Sequence, residues 1–251
     1  MDDLVRLRRW ERGIKLEATA GGCGFAYFWF YEWNMFDAVN QGEHTHGSWA
    51  WHWTIDAHGR AARMEAEILN LTVEAKTNGA ELALEVENTS GYDWPELAAI
   101  IPCFNPGDPE KPELRNPLFL DSEHTHTYFY GKQGLELIAE EYPRAIHFNH
   151  TDWPSLLKRD TPGSNREFVF SNKWPTSDRD AYQGIMVRES QDQRWVMGIA
   201  WDSFLSAQGH NPWNCMHLSI RVGPLKRGEK KKVRGRIYLF EGSKEDCLGC
   251  Y

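Results

Sequence analysis

The stretch Leu71-Thr-Val-Glu-Ala75, Lys76-Thr77-Asn78-Gly79-Ala80, Glu81-Leu-Ala-Leu-Glu-Val86 alternates apolar and polar residues on both sides of an Asn-Gly dipeptide. Successive side chains of a strand leave from opposite faces, so this alternation gives each half one apolar and one polar face. Asn-Gly between two such halves is a strong short-range hairpin signal, because both residues tolerate the backbone of a tight reversal. The expectation is an antiparallel hairpin with one face in a core.

The same period of two runs through the rest of the chain. Ile14 to Thr19 alternates, and Phe25 to Phe36 is an aromatic run suited to burial on both faces. Trp49, Trp51 and Trp53 would project from one side of a strand, with His52 on the other. Leu97 to Phe104 is nearly continuously apolar, as a central strand is. Thr125 to Tyr130 with Leu135 to Ala139 reads as a hairpin. So does Gly184 to Glu189 with Trp195 to Trp201, around Gln191-Asp-Gln193. Met216 to Val222 and Lys232 to Phe240 close the series. Two irregular stretches, Asn105 to Asn116 and Asp152 to Ser177, carry the prolines and polar residues of long loops. No segment has a helical stripe longer than two turns. The fold class is all-β, an antiparallel β-sandwich or barrel, with residues 1–251 as one domain.

Composition narrows the function. The chain has 251 residues, 41% hydrophobic and 25% charged, as a globular protein has. A formal net charge of −8 argues against nucleic acid, whose binding rests on clustered Lys and Arg. The basic run Lys226 to Arg236 alternates with Gly and Val and reads as a solvated hairpin. Five Cys without regular spacing make a poor disulfide framework. Cys247-Leu-Gly-Cys250 reads as a frayed tail. The first residues lack the apolar stretch of a secretory signal, and no apolar run approaches the ~20 residues that span a bilayer. The expectation is a cytoplasmic protein, in a reducing compartment, with no membrane partner. The sequence leaves the oligomeric state open. Twelve Trp supply either an aromatic core or stacking platforms.

Glu-His-Thr-His occurs twice, at Glu43 to His46 and Glu123 to His126. In a strand both imidazoles of a His-x-His leave from one face. Two such pairs could unite His44, His46, His124 and His126 around a divalent transition metal, since neutral imidazole is a common ligand. Other groups suggest acid–base chemistry. Asp202, His210 and His217 lie in one segment with Asn211 and Trp213, and a carboxylate beside an imidazole orients it. His150 precedes Trp153, a proton carrier beside a stacking surface, with Arg144 near enough in sequence to bind a sugar carboxylate. A small-molecule carbohydrate is the implied ligand.

Trp201-Asp202, His210-Asn-Pro212, Gly223-Pro-Leu-Lys-Arg-Gly-Glu229 and Gly235-Arg-Ile-Tyr-Leu-Phe240 together resemble the C-terminal end of galactose-mutarotase-like (aldose 1-epimerase-like) proteins. Asn149-His150-Thr151 resembles the segment bearing their catalytic acid. The resemblance implies a β-supersandwich, with Asp202 as base and His150 as acid across a sugar ring. It favours an epimerase, mutarotase or lyase, with His124, His126, His150, Asp202, His210 and His217 as the candidate acid–base groups. Two other classes stay open: a metal-dependent enzyme with a multi-His centre, and a non-catalytic carbohydrate-binding module.

Overall fold

A computed structural model describes residues 5–10, 13–19, 22–34, 53–96, 98–108, 110–151, 175–210 and 213–251, with the backbone alone at 31–34 and 210. They form an antiparallel β-sandwich. The seven-stranded sheet runs, in spatial order, β1 (Arg6–Trp10), β2 (Gly13–Glu17), β3 (Phe25–Asn34), β8 (Ala99–Asn105), β15 (Cys215–Arg221), β14 (Phe204–His210) and β11 (His147–Phe148). The nine-stranded sheet runs β10 (Gly134–Leu137), β9 (Thr127–Gly131), β12 (Gln183–Glu189), β13 (Trp195–Trp201), β16 (Lys230–Glu241), β7 (Gly79–Glu87), β6 (Leu69–Lys76), β5 (Ala61–Glu65) and β4 (Trp53–Ile55).

The opening hairpin forms as β6 and β7. Leu69, Leu71, Val73, Leu82, Leu84 and Val86 are buried between the sheets, while Glu74 and Glu81 stay in water. Its tip is Thr77-Asn78, because Lys76 pairs with Gly79. Gly79, at φ 142, instead lets β16 approach: a Cβ there would collide with the Ile237 carbonyl. β8 is the central strand of its sheet, as its apolar run implies. Tyr27, Phe28, Trp29 and Phe30 on β3 are all buried, so that strand is covered on both faces.

Two expectations need correction. Cys247 and Cys250 are not a frayed tail. They sit on a short α-helix, Lys244–Gly249, whose N-terminus is closed by reciprocal hydrogen bonds between Ser243 and Asp246. Cys247 is fully buried there against Gly198 of β13. Nor is the second Glu-His-Thr-His in a strand. It lies in the turn before β9, which begins only at Thr127.

Candidate functional site

Asp121 decides the shape of that turn. Its carboxylate accepts from the backbone N–H of Thr125 (2.8 Å) and His126 (2.9 Å) and from the hydroxyls of Thr125 and Thr127 (3.0 Å each). An aspartate that gathers nearby donors holds the chain in a turn and stops strand alternation. His124 takes a left-handed conformation, φ 54, and is fully buried, while His126 is half-buried with its Nδ1 3.0 Å from the Thr125 hydroxyl. The two imidazoles therefore do not share a face as a strand would arrange them. His44 and His46 lie outside the described residues, so the four-histidine centre rests on the sequence alone.

His124 belongs to a buried ionic network. Its Nδ1 is 3.0 Å from Nη2 of Arg188, a guanidinium with no exposed surface. Arg188 also donates to the Thr127 hydroxyl (2.8 Å) and to the carbonyls of Asn214 (2.7 Å) and Phe119 (3.2 Å), with Asp121 at 3.8 Å. Burial lowers the Arg188 pKa to about 10 against the pull of Asp121, Cys215 and Cys103, so it stays charged at neutral pH. Burial opposes ionisation of Asp121, but Arg188 and the turn's donors outweigh it and hold the carboxyl below its usual range. A cation donating to Nδ1 makes that atom the acceptor and leaves the ring hydrogen on Nε2.

The sequence reading missed a second buried histidine. His147 on β11 stacks on Phe129 (centroids 4.0 Å apart), with Nδ1 2.8 Å from the Arg179 carbonyl. Burial depresses its pKa to about 4, so the ring is neutral at pH 7. His150 lies just beyond β11, half-buried, stacked on Tyr182 at 3.9 Å. Burial raises the pKa of Asp180, with the charge of His150 opposing that shift.

Asp202 is not brought to the C-terminal histidines. It is exposed in the β13–β14 turn and accepts from the backbone N–H of Arg234 (3.0 Å). His217 stands opposite Gln208, six residues further along the chain, or about 20 Å at ~3.3 Å per residue. An aspartate that distant cannot orient that imidazole. His210 ends β14, and its side chain is outside the described residues, as are Trp153 and Asn211.

Strand register assembles a different group, on the side of the seven-stranded sheet away from the core. Trp29 pairs with Cys103, the β8–β15 register puts Cys103 opposite His217, and His217 pairs with Gln208. A neighbouring row holds Tyr27, Asn105 and Cys215. Ser206 and Ser219 form a third, their hydroxyls 3.1 Å apart. These are outer-face positions, yet Cys103, Cys215, His217, Gln208, Ser206 and Ser219 are all buried. The Gln208 amide donates to the Arg144 carbonyl at 2.7 Å, so Arg144 meets this face through its backbone. Trp10 and Trp213 pack against Trp29, Cys103 and Cys215, and with Tyr27, Asp108, Lys111 and Leu114 they line a narrow crevice. Cys103 and Cys215 are 112 positions apart, and only the pairing of β8 with β15 unites them. Cys215-Met-His217, a Cys-x-His in a strand, was the available signal.

No protein-family model matches the chain, and no curated protein matches it in sequence. Among solved structures it is similar to a galactose mutarotase-like protein from Lactobacillus casei ATCC 334, with TM-score 0.47 and 10% identity over 96% of this chain and 98% of that one. A galactose mutarotase related enzyme from Lactobacillus acidophilus gives TM-score 0.43 and 11% identity, covering 97% of each chain. The likeness is distant, and it is to the same group of proteins that the C-terminal sequence resembles. The sandwich itself stands on the strand pairings. No helix among the described residues is long and apolar enough to cross a membrane.

Proposed function

We propose that this chain is a carbohydrate-active enzyme of the epimerase, mutarotase or lyase type, with its sugar against the outer face of the seven-stranded sheet. The observation that carries the reading is the buried polar row Cys103, His217 and Gln208, flanked by Trp29 and by the crevice of Trp10, Tyr27 and Trp213. Sugars are held by this mixture, with aromatic faces on the C–H side and amide, hydroxyl and imidazole groups on the hydroxyls. Gln208, Ser206, Ser219 and His217 form the polar floor. His150, half-buried at the β11 edge beside Asp180, is the proton carrier. His124, committed through Nδ1 to Arg188, positions the floor from beneath.

The test offers hexoses, uronic acids and unsaturated oligosaccharides, following mutarotation by NMR and elimination by ultraviolet absorbance. His150→Ala should lower turnover by about 10²–10⁴ with little change in melting temperature. Gln208→Leu should chiefly raise KM. Full kcat in the first variant and full KM in the second, on whichever substrate the wild type accepts, would defeat this reading. Sugar binding without turnover would replace it by a carbohydrate-binding module.

A further inference from the structure

Cys103, Cys215 and His217 bring two sulfurs and an imidazole nitrogen within 4.8 Å of one another, all three residues buried. The two Sγ atoms are 2.7 Å apart, and the Asn105 amide donates to the Cys103 sulfur at 3.2 Å. We propose that Cys103, Cys215 and His217 form a binding site for a thiophilic d¹⁰ cation, Zn²⁺, with a fourth position open to a water or substrate oxygen.

Three features carry the inference. The first is the spacing. Tetrahedral zinc with bonds of about 2.3 Å to sulfur and about 2.0 Å to nitrogen sets its ligand atoms roughly 3.5–3.8 Å apart. The cluster reaches that with sub-ångström to ångström shifts of side chains on two adjacent strands.

The second is the register. Cys103 stands opposite His217, and Cys215 opposite Asn105, so the cysteines are diagonal neighbours across the β8–β15 ladder. Diagonal Cα atoms lie about 7–8 Å apart, beyond the roughly 4.4–6.8 Å that a disulfide accepts. The sulfurs, 2.7 Å apart, are farther than the ~2.05 Å of a disulfide and about 1 Å closer than a zinc-bound pair, so an ion entering between them must part them by about that much.

The third is the surroundings. Asn105 supplies an N–H to a ligand sulfur, the outer contact that tunes a thiolate site. Arg188, which donates to the carbonyl of Asn214 next to Cys215, places a buried guanidinium near both sulfurs. Trp29, Trp10 and Trp213 pack against the cysteines.

Binding replaces two S–H protons by one Zn²⁺, so two protons leave, and two thiolates cancel the charge of the ion. The donor set differs from the four histidines that the repeated string suggested. The proposal goes beyond the sugar reading: with the ion bound, His217 is a ligand and Gln208, Ser206 and Ser219 are left as the sugar floor, and metal binding is measured without any sugar.

The experiment uses the full chain, purified under reducing conditions and stripped with a chelator. Titration with Co²⁺ should give one equivalent, with a thiolate-to-cobalt charge-transfer band in the near ultraviolet. One equivalent of Zn²⁺ should abolish that band, with two protons released per ion. On the wild-type zinc form, X-ray absorption should report two sulfur neighbours at about 2.3 Å, a reading that needs no variant to fold. Losing a contact to a metal ligand already costs 10–100-fold in affinity, so Cys103→Ser, Cys215→Ser and His217→Ala should each lose about 100-fold or more. Cys250→Ser, an exposed control, should leave binding unchanged. Three results would overturn the site: no charge-transfer band in the wild type, a band that survives in the Cys103→Ser/Cys215→Ser protein, or loss of two mass units showing a disulfide.

Discussion

The two ends of this sandwich handle polar residues in opposite ways. At the β4–β7 end the interior is apolar, with Met64, Leu71, Val73, Leu82 and Leu84 buried, and the exterior is solvated. There Lys232 meets Glu85 at 3.4 Å and Lys230 meets Glu87 at 2.9 Å, in water. At the other end Arg188, Asp121, His124 and His147 sit inside, while Cys103, Cys215, His217 and Gln208 are buried on the outside. Both ends obey the same alternation along the strands. What separates them is that the first keeps only what a core needs, whereas the second holds buried polar groups that stability alone does not call for. Burying such groups costs free energy unless each is paired, which is the ground for the proposed site at that end.

The contrast predicts how each end fails. The largest expected loss is at Arg188: Arg188→Ala leaves Asp121 buried without its counter-charge and should cost about 3–5 kcal/mol. Chemical denaturation would measure it, and a loss under 1 kcal/mol would mean that the network is ornamental. Leu84→Ala, at the apolar end, should cost about 2–5 kcal/mol through its cavity. The two losses are similar in size, so pH must tell the ends apart.

His147 supplies that distinction. Its pKa falls from 6.5 to about 4 on folding, so between those values the unfolded chain binds the proton and the folded chain does not. Its contribution to stability is complete above pH 6.5 and is lost as pH falls toward 4, at about 1.4 kcal/mol per unit. His147→Gln should flatten the slope of the denaturation midpoint between pH 6.5 and 4. An unchanged slope would remove His147 as its source. The smallest effect belongs to the solvated face. Glu85→Gln should leave the denaturation midpoint where it is and lose nothing further in high salt, because exposed pairs contribute little.

The sequence made the fold readable wherever neighbours along the chain settle the matter. The Leu71–Val86 hairpin, the central strand Ala99–Asn105 and the last hairpins depend on apolar patterning and turn residues, which are local. The site was readable only in part. The repeated Glu-His-Thr-His suggested a strand, but Asp121, two residues before Glu123, captures the donors of Thr125 and His126 and turns the chain. The spacing of Asp121 from Thr125 and Thr127 was the clue. Cys103 meets His217 only through the register of β8 with β15, information spread over more than a hundred residues. Asp202 and His217 stand close together in the chain, yet an extended strand carries them far apart.

Gly209 ties the two sides of the polar end together. It has no Cβ, and one built there would fall 2.9 Å from the His124 ring and 2.8 Å from the Pro143 carbonyl. The interior imidazole therefore rests directly on the peptide of β14, one residue from Gln208 on the outer face. Only the thickness of a backbone separates the ion network from the proposed sugar floor, and the strand acts as a membrane stretched over it. Any larger residue at this point would push the membrane outward and carry Gln208 with it. The contour of the outer surface is in that sense drawn from below.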